Sequence, residues 1–204
     1  MLVNYSLLVY SLSVYMPTLL GILGKKRHGK DTVSDYIVLK YGFKKDTLAQ
    51  PIKDICKILF DFSDEQLYGN LKDTIDENLG TTPRAIFQYL GTDILRKDLN
   101  KIAQKKNCEN LFVDHMKKRC ANYLNNNESV IISDIRCQNE VDAIHEMGGI
   151  IIKIDRPNFA YPVEDLHESE KNIDNIADYD HLIDNSKDIE SLYDKITNLM
   201  NDII

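Results

Sequence analysis

The sequence lacks an excess of positive charge. Across 204 residues, 25 lysines and arginines stand against 32 aspartates and glutamates, which gives a formal net charge of −7. A chain with this balance is repelled by nucleic acid polymers and by anionic membrane surfaces, so we predict that it binds neither. Its length is enough for one domain with a hydrophobic core.

The sequence also lacks the cysteine and histidine patterns of a disulfide-rich or metal-bound fold. Its four cysteines include no CxxC pair, and its five histidines do not lie at the spacings of metal ligands. A disulfide framework and a zinc site are therefore both disfavoured. Reduced thiols are typical of a cytosol-like compartment, and we predict a cytoplasmic location.

The start of the chain is apolar but too short to cross a bilayer. Residues 1–15 carry no charge, whereas a span needs about 20 residues. They also lack the basic start and the small-residue cleavage site of a signal peptide. We interpret them as a dispensable extension upstream of a functional start at Met16; a targeting or dimerisation segment is the alternative. No repeat or Gly-, Ser- or Pro-rich linker follows, so residues 16–204 are predicted to form a single domain.

What the sequence does contain is a glycine-bounded loop directly after an apolar run. The run occupies residues 19–23, and the loop occupies residues 24–32. Gly24 and Gly29 let the backbone curl so that successive amides point inward as a nest for an anion. The helix that follows adds its positive N-terminal end. This pattern predicts a phosphate-binding loop in which Lys30 reaches the β- and γ-phosphates of a triphosphate.

One position of the loop departs from the common pattern. The residue after the lysine is Asp31 rather than serine or threonine, and the hydroxyl comes one position later, at Thr32. Either side chain can hold Mg²⁺, directly or through water. The loop also concentrates positive charge on an acidic chain, which suits a small polyanion; an ordinary glycine turn with solvated charges is the alternative. The basic residues are Lys25, Lys26, Arg27 and Lys30.

Apolar strands alternate with helical patterns along the rest of the chain. Strands are predicted at about 18–23, 44–49, 130–134, 150–154 and 181–184, and helices at about 30–41, 138–147 and 188–203. This alternation implies a parallel sheet covered by helices on both faces. Right-handed crossovers then place the phosphate loop at the carboxyl edge of the strands. Asp134, the last residue of its predicted strand, ends at the same edge.

The chain resembles the deoxynucleoside monophosphate kinases of bacteriophages and large DNA viruses over nearly everything after Met16. The family also favours Lys-Asp-Thr at the loop, and further segments follow in a similar order and spacing. They are 48–54, Arg84 with 88–93, 133–136 with Glu140, Arg156-Pro157 and 167–170. The resemblance implies an α/β, three-layer P-loop NTPase fold of the nucleoside monophosphate kinase type, with a parallel five-stranded sheet. It also implies ATP-dependent phosphorylation of deoxynucleoside 5′-monophosphates, in the cytoplasm of the infected host if the chain is viral.

The resemblance implies a donor site on the phosphate loop. Phosphoryl transfer requires two phosphates held in line and a neutralised migrating charge. Asp31 and Thr32 are expected to hold Mg²⁺. His167 lies in a stretch that resembles the family's mobile segment over the nucleotide, where we expect it to donate or accept an orienting hydrogen bond; a solvated loop is the alternative. The residues expected to contact ATP are Gly24, Arg27, His28, Gly29, Lys30, Asp31, Thr32 and His167.

The resemblance also implies an acceptor site for the monophosphate. Guanidinium groups bind phosphate oxygens bidentately, so Arg84 and Arg96 are expected to clamp it, with surface ion pairs as the alternative. The residues expected to contact the acceptor are Lys26, Arg84, Gly91, Thr92, Arg96, Asp134, Arg136 and Glu140. The residues expected to take part in the transfer itself are Lys30, Arg27, Arg136 and Asp134.

Several of these residues have purely structural alternatives. Asp134 is a candidate to orient Mg²⁺ through water or to contact the acceptor sugar, but it also fits a buried N-cap. Arg136 also fits a salt bridge to Glu140. Gly91 and Thr92 also fit a turn that interrupts a helix.

The chain differs from the family pattern at two places. His28 stands where the family more often has a small residue, and the stretch between Asp54 and Arg84 is short and matches poorly. Base selection is expected to depend on that stretch. Two other functions stay open at this point: a kinase of another phosphorylated acceptor, such as phosphomevalonate, and a noncatalytic ATP-sensing module. A homodimer is also a possibility that the sequence leaves open.

Overall fold

The computed structural model describes residues 16–103, 110–157, 159 and 173–204, apart from the side chains of Arg96 and Asn100. The predictions made for residues 1–15 and for His167 therefore lie outside the described residues.

A five-stranded sheet forms the centre of the described fold, and all its strand pairs are parallel. The strand order is β2-β3-β1-β4-β5, so β1 lies between β3 and β4. The loop that leaves β1 therefore starts in the middle of the carboxyl edge. The strands are β1 Leu19–Leu23, β2 Lys44–Asp46, β3 Val130–Ile135, β4 Ile150–Asp155 and β5 His181–Asp184.

Helices connect these strands and pack on both faces of the sheet. The longer ones are α1 Lys30–Tyr41, α2 Gln50–Phe60, α6 Leu111–Asn125, α7 Gln138–Glu146 and α8 Ile189–Ile203. The shorter ones are α3 Asp64–Leu67, α4 Pro83–Gln88 and α5 Leu99–Ile102, with a π-helical segment at Tyr89–Asp98 and 3₁₀ turns at Asn70–Asp73 and Ile173–Asn175. Among the described helices, none is both long and apolar enough to cross a membrane.

Two apolar clusters separate the three layers. Because side chains alternate along a strand, Leu20 and Ile22 of β1 face one side and Leu19 and Leu23 the other. The first pair packs with residues of α1 and α8, and the second with residues of α2, α6 and α7. All five residues of β1 are buried. The central strand is thus fixed from both faces, and the loop after it has a rigid base.

The boundaries of two strands differ from the predictions. β2 ends at Asp46 rather than near residue 49, because the next residues turn toward the neighbouring strand. β3 continues to Ile135, so Asp134 is its second-to-last residue rather than its last. Asp134 nevertheless lies at the carboxyl edge, as predicted.

Candidate active site

The phosphate loop follows β1 and needs glycine at both of its predicted positions. A Cβ at Gly24 would lie 2.7 Å from the carbonyl oxygen of Ile154, which is backbone and cannot move aside. Gly29 has φ +99°, and a Cβ there would lie 2.5 Å from Nδ2 of Asn185. Arg27 also has positive φ, at 64°. The loop therefore has the tight, left-handed curvature of an anion nest.

Lys30 begins α1 and lies inside the curve of the loop. Its side chain is largely buried, and Nζ donates a hydrogen bond of 2.8 Å to the carbonyl oxygen of Lys25. Among the described residues, α1 has no side-chain cap at Gly29. A helix start that the N-cap residue does not cap with a side chain is the arrangement that phosphate-binding loops use.

A cleft of about 780 Å³ opens beside the loop. Its walls include twelve of the predicted site residues, drawn from five parts of the chain. They are Lys26, Arg27, Gly29, Lys30, Asp31, Thr32, Arg84, Gly91, Thr92, Asp134, Arg136 and Glu140. Gly24 and His28 lie behind the loop and do not line the cleft. Arg96 belongs to the π-helical segment, but its side chain is outside the described residues.

The Asp134 carboxylate joins β3 to the start of α2. Oδ1 accepts a hydrogen bond of 2.7 Å from the amide of Leu48, and Oδ2 accepts one of 3.2 Å from the amide of Ala49. The N-cap alternative is therefore wrong, because Asp134 lies within β3 and its carboxylate accepts amides of the turn before α2 rather than of the first turn of a helix. Asp134 is half-buried and also lines the cleft. Its carboxylate holds the turn before α2 at the wall of the cleft.

Glu140 shapes the start of α7. It is 4% exposed, and its Oε2 accepts hydrogen bonds from the amides of Arg136, at 2.8 Å, and Cys137, at 3.1 Å. These bonds hold the turn that presents Arg136 to the cleft. The Glu140 contact observed here therefore goes to the Arg136 backbone, a role that the sequence did not indicate.

Arg84 is both a cleft residue and a member of an ion pair. Its Nε and Nη2 donate to the two carboxylate oxygens of Asp73, at 2.5 and 3.1 Å. The hydrogen bond from Arg84 holds the pKa of Asp73 below its ordinary value. The predicted ion-pair alternative is thus present.

Gly91 and Thr92 lie within the π-helical segment, so they do not form the predicted interrupting turn.

The residues predicted to hold Mg²⁺ lie in the first turn of α1. Desolvation raises the pKa of Asp31, and the ammonium groups of Lys45, Lys72 and Lys30 together outweigh it, so the pKa is lowered. Asp31 is thus a carboxylate at neutral pH, next to the Thr32 hydroxyl. Within the described ranges, no group of three or more acidic, histidine or cysteine side chains could hold a metal ion by itself. One carboxylate and one hydroxyl beside a phosphate nest nevertheless fit Mg²⁺, which takes most of its ligands from water and phosphate.

Two lysines of the cleft wall were not predicted. Lys53 of α2 and Lys72 of the first 3₁₀ turn both line the cleft. Burial lowers the pKa of Lys53, and its Nζ lies 4.5 Å from the centroid of the Tyr68 ring. In the described part of the chain, neither lysine has a carboxylate partner. The 48–54 motif contains Lys53 and could have indicated it, whereas no sequence signal points to Lys72.

The cleft continues along the end of β5, which the sequence did not indicate either. Asn185 donates from Nδ2 to the carbonyl oxygen of His28, at 2.9 Å, and from its amide to the carbonyl oxygen of Asp155, at 2.7 Å. These bonds fix the loop against the strands beside it. The other lining residues here are Arg156, Lys187, Asp188, Ile189 and Leu192.

The central parallel sheet and the loop after β1 define a P-loop protein of the kinase type. Dephospho-CoA kinase from Campylobacter jejuni has the same fold, with TM-score 0.53 and 16% identity over 92% of this chain and 98% of that one. Shikimate kinase from Aquifex aeolicus matches with TM-score 0.50 and 13% identity, over 90% and 96% of the two chains. The predicted fold class is confirmed.

The sequence then defines the family within this class. The model of the deoxynucleotide monophosphate kinase family matches residues 18–75 and 63–196, and the chain belongs to that family. A protein of Acanthamoeba polyphaga mimivirus that carries the family's name is 42% identical over 183 residues, which is 87% of this chain and 93% of the relative. The deoxynucleotide monophosphate kinase of Enterobacteria phage T4 is 25% identical over 247 aligned residues, covering 89% and 98%. The predicted resemblance is confirmed.

Proposed function

We propose that this protein transfers the γ-phosphoryl group of ATP to a deoxynucleoside 5′-monophosphate, which yields ADP and the deoxynucleoside diphosphate for DNA precursor synthesis. Family membership supports the reaction. The observation that supports it most directly is a cleft that is lined both by the phosphate loop and by the wall of Arg84, Asp134 and Arg136. A protein that only sensed ATP would need the loop but not the second wall.

In this proposal the phosphate loop binds the donor. The loop amides and the Lys30 ammonium hold the β- and γ-phosphates, and Arg27 approaches the phosphoryl group in transfer. Bound to the triphosphate, Mg²⁺ would neutralise charge on the β- and γ-phosphate oxygens, with Asp31 and Thr32 as its protein neighbours. The wall after β5 receives the remainder of the ATP molecule.

The opposite wall binds the acceptor. Arg84, Arg136 and Lys53 supply positive charge for the 5′-phosphate. An apolar part of the same wall, formed by Ile52, Phe87 and Phe112, supplies a surface on which a nucleobase can pack. A wall that combines charged and aromatic side chains suits a nucleotide better than an aliphatic phosphate such as phosphomevalonate.

An acceptor screen tests the proposal. The protein is mixed with ATP and Mg²⁺ and with each deoxynucleoside monophosphate, each ribonucleoside monophosphate or phosphomevalonate, and ADP release is measured. We expect ADP to form with one or more deoxynucleoside monophosphates. Turnover with phosphomevalonate alone, or tight ATP binding with no turnover of any acceptor, would contradict the proposal. The same screen identifies the accepted bases.

The predicted location and oligomeric state belong to the proposal as well. We infer a cytoplasmic enzyme, on the basis of the absence of CxxC pairs from the sequence and of its small-molecule substrates. Sedimentation at micromolar concentration would distinguish a monomer from the homodimer that the sequence leaves open.

A further inference from the structure

His28 occupies the middle of the phosphate loop but faces away from the cleft. It is 4% exposed and packs against the end of β4. Three polar atoms surround its Nδ1. The amide nitrogen of Arg156 lies at 3.2 Å, the carbonyl oxygen of Ile154 at 3.4 Å and Oδ1 of Asp155 at 3.5 Å.

These three neighbours require different protonation states of Nδ1. The Arg156 amide can only donate, so it bonds to Nδ1 when Nδ1 carries no proton. The Ile154 carbonyl and the Asp155 carboxylate can only accept, so they bond to Nδ1 when it carries one. Nδ1 therefore has two arrangements, and only the neutral ring with its proton on Nε2 binds the Arg156 amide.

Arg156 is linked to His28 through a third side chain. The Arg156 guanidinium carbon lies 5.2 Å from the centroid of the Phe159 ring. The rings of His28 and Phe159 lie 6.5 Å apart and are nearly perpendicular, at 76°. His28, Arg156 and Phe159 thus form a closed cluster behind the loop, while Arg156 also lines the cleft beside Asn185 and Lys187.

We propose that His28 is a positioning residue that, as a neutral acceptor at Nδ1, fixes Arg156 at the triphosphate side of the cleft. The proposal rests on the proposed function in one respect, namely that ATP occupies this side.

The surroundings of His28 favour the neutral ring. Burial lowers the pKa of His28, the Ile154 carbonyl and the Asp155 carboxylate raise it, and the ammonium groups of Lys25 and Lys30 lower it again. The result lies below the ordinary value of 6.5. The bond from the Arg156 amide is thus formed at neutral pH and is lost as the pH falls through the lowered pKa.

The affinity for a nucleotide, compared between variants, tests whether His28 acts through Arg156. A non-hydrolysable ATP analogue with Mg²⁺ is titrated calorimetrically into the wild type and into the variants His28→Ala, His28→Asn, Arg156→Gln and His28→Ala/Arg156→Gln. Asparagine keeps an acceptor near the position of Nδ1 but cannot titrate. We expect His28→Ala to bind about tenfold more weakly and His28→Asn to stay within about twofold of wild type. The double variant should bind as Arg156→Gln does.

Several outcomes of this titration would overturn the proposal. They are wild-type affinity in His28→Ala or in Arg156→Gln, equal loss in His28→Ala and His28→Asn, and additive losses in the double variant. If His28→Ala does not fold, as judged by its thermal transition, His28→Ser takes its place. The titration needs no acceptor, so a failed acceptor screen with normal analogue binding would contradict the proposed function and leave this inference standing.

Amide hydrogen exchange at Arg156 provides a second readout, which nucleotide affinity does not influence. In the wild type, the Arg156 amide should be protected at neutral pH and lose protection below pH 6.5, after correction for the intrinsic rate. In His28→Asn the protection should not change over that range, because no proton binds. Parallel pH dependence in the two proteins would refute the acceptor role of Nδ1.

Discussion

At the scale of single residues, Lys30 is held by the loop that it serves. Its ammonium donates a hydrogen bond to the Lys25 carbonyl, which holds the charge inside the curve of the loop. A cation fixed beforehand at the point where charge develops is the most effective kind of electrostatic stabilisation.

Removing this cation should nearly abolish turnover. For Lys30→Ala we expect the activation free energy to rise by about 3–4 kcal/mol, a loss of more than a hundredfold in kcat. Single-turnover ADP formation at saturating ATP measures the chemical step. Lys44→Ala is the control, because Lys44 is exposed and pairs only with Glu128 among the described residues, at 3.3 Å. An unchanged kcat in Lys30→Ala would remove Lys30 from the mechanism.

Lys53 tests whether the opposite wall of the cleft binds the acceptor, and Lys57 on the same helix is its matched control. Lys57 lies one helical turn further along α2, is exposed and pairs with Asp64 at 2.8 Å. We expect Lys53→Gln to raise the KM for the deoxynucleoside monophosphate about tenfold with the KM for ATP little changed, since a charged hydrogen bond to phosphate is lost. Lys57→Gln should leave both constants unchanged. Equal effects of the two substitutions would show that Lys53 does not bind the acceptor.

At the scale of secondary-structure elements, the start of α7 depends on one buried carboxylate. The Glu140 carboxylate accepts hydrogen bonds from the backbone amides of Arg136 and Cys137. Its removal takes that charged acceptor away from two partly buried amides.

We expect Glu140→Ala to reduce the free energy of unfolding by about 1–3 kcal/mol, because two partly buried amides lose a charged acceptor. Glu146 ends the same helix and forms an exposed ion pair with Lys117, at 2.6 Å. The control Glu146→Ala should change stability by about 0.5 kcal/mol or less. Urea unfolding followed by circular dichroism compares the two. A Glu140→Ala protein as stable as Glu146→Ala would exclude the capping role.

The sequence-based prediction was accurate where interactions between residues close in sequence determine the structure, and it failed where distant residues do. The helix predicted at 30–41 is α1, and the one at 188–203 is α8 within a residue, because apolar spacing and local caps at Gly42 and Asp188 determine both. The predicted end of β2, near residue 49, was wrong because the amide of Leu48 donates a hydrogen bond to Asp134, 86 residues away. No local pattern encodes such a partner.

The site follows the same rule. The loop residues were predictable because glycines and a lysine at fixed spacing are the whole motif. The position of Lys72 at the cleft was not predictable, because the sequence of its turn is polar and shows no hydrophobic periodicity. The neighbouring residue, Asp73, is held by an ion pair with Arg84. His28 could be recognised as unusual, but its contacts at the end of β4 lie 126 and 128 residues away.

At the scale of the whole molecule, the first strand of the described fold is β1, which begins at Leu19, and we interpret residues 1–15 as dispensable to it. We therefore predict that a chain beginning at Met16 has the same melting temperature, and the same kcat and KM within about twofold, as the full chain. Sedimentation of the two proteins, side by side, tests the alternative that residues 1–15 mediate dimerisation. A large loss of activity or stability on truncation would contradict the prediction that they are dispensable.

The central position of β1 also determines when the protein can assemble during synthesis. β1 pairs with β3 and β4, and the amide of Thr18 bonds to the hydroxyl of Ser129, 111 residues later. A ribosome must therefore deliver well over half of the polypeptide before the strand beneath the phosphate loop has either neighbour. Until then β1 has no partner strand, and the nascent chain depends on chaperones or on speed to avoid aggregation.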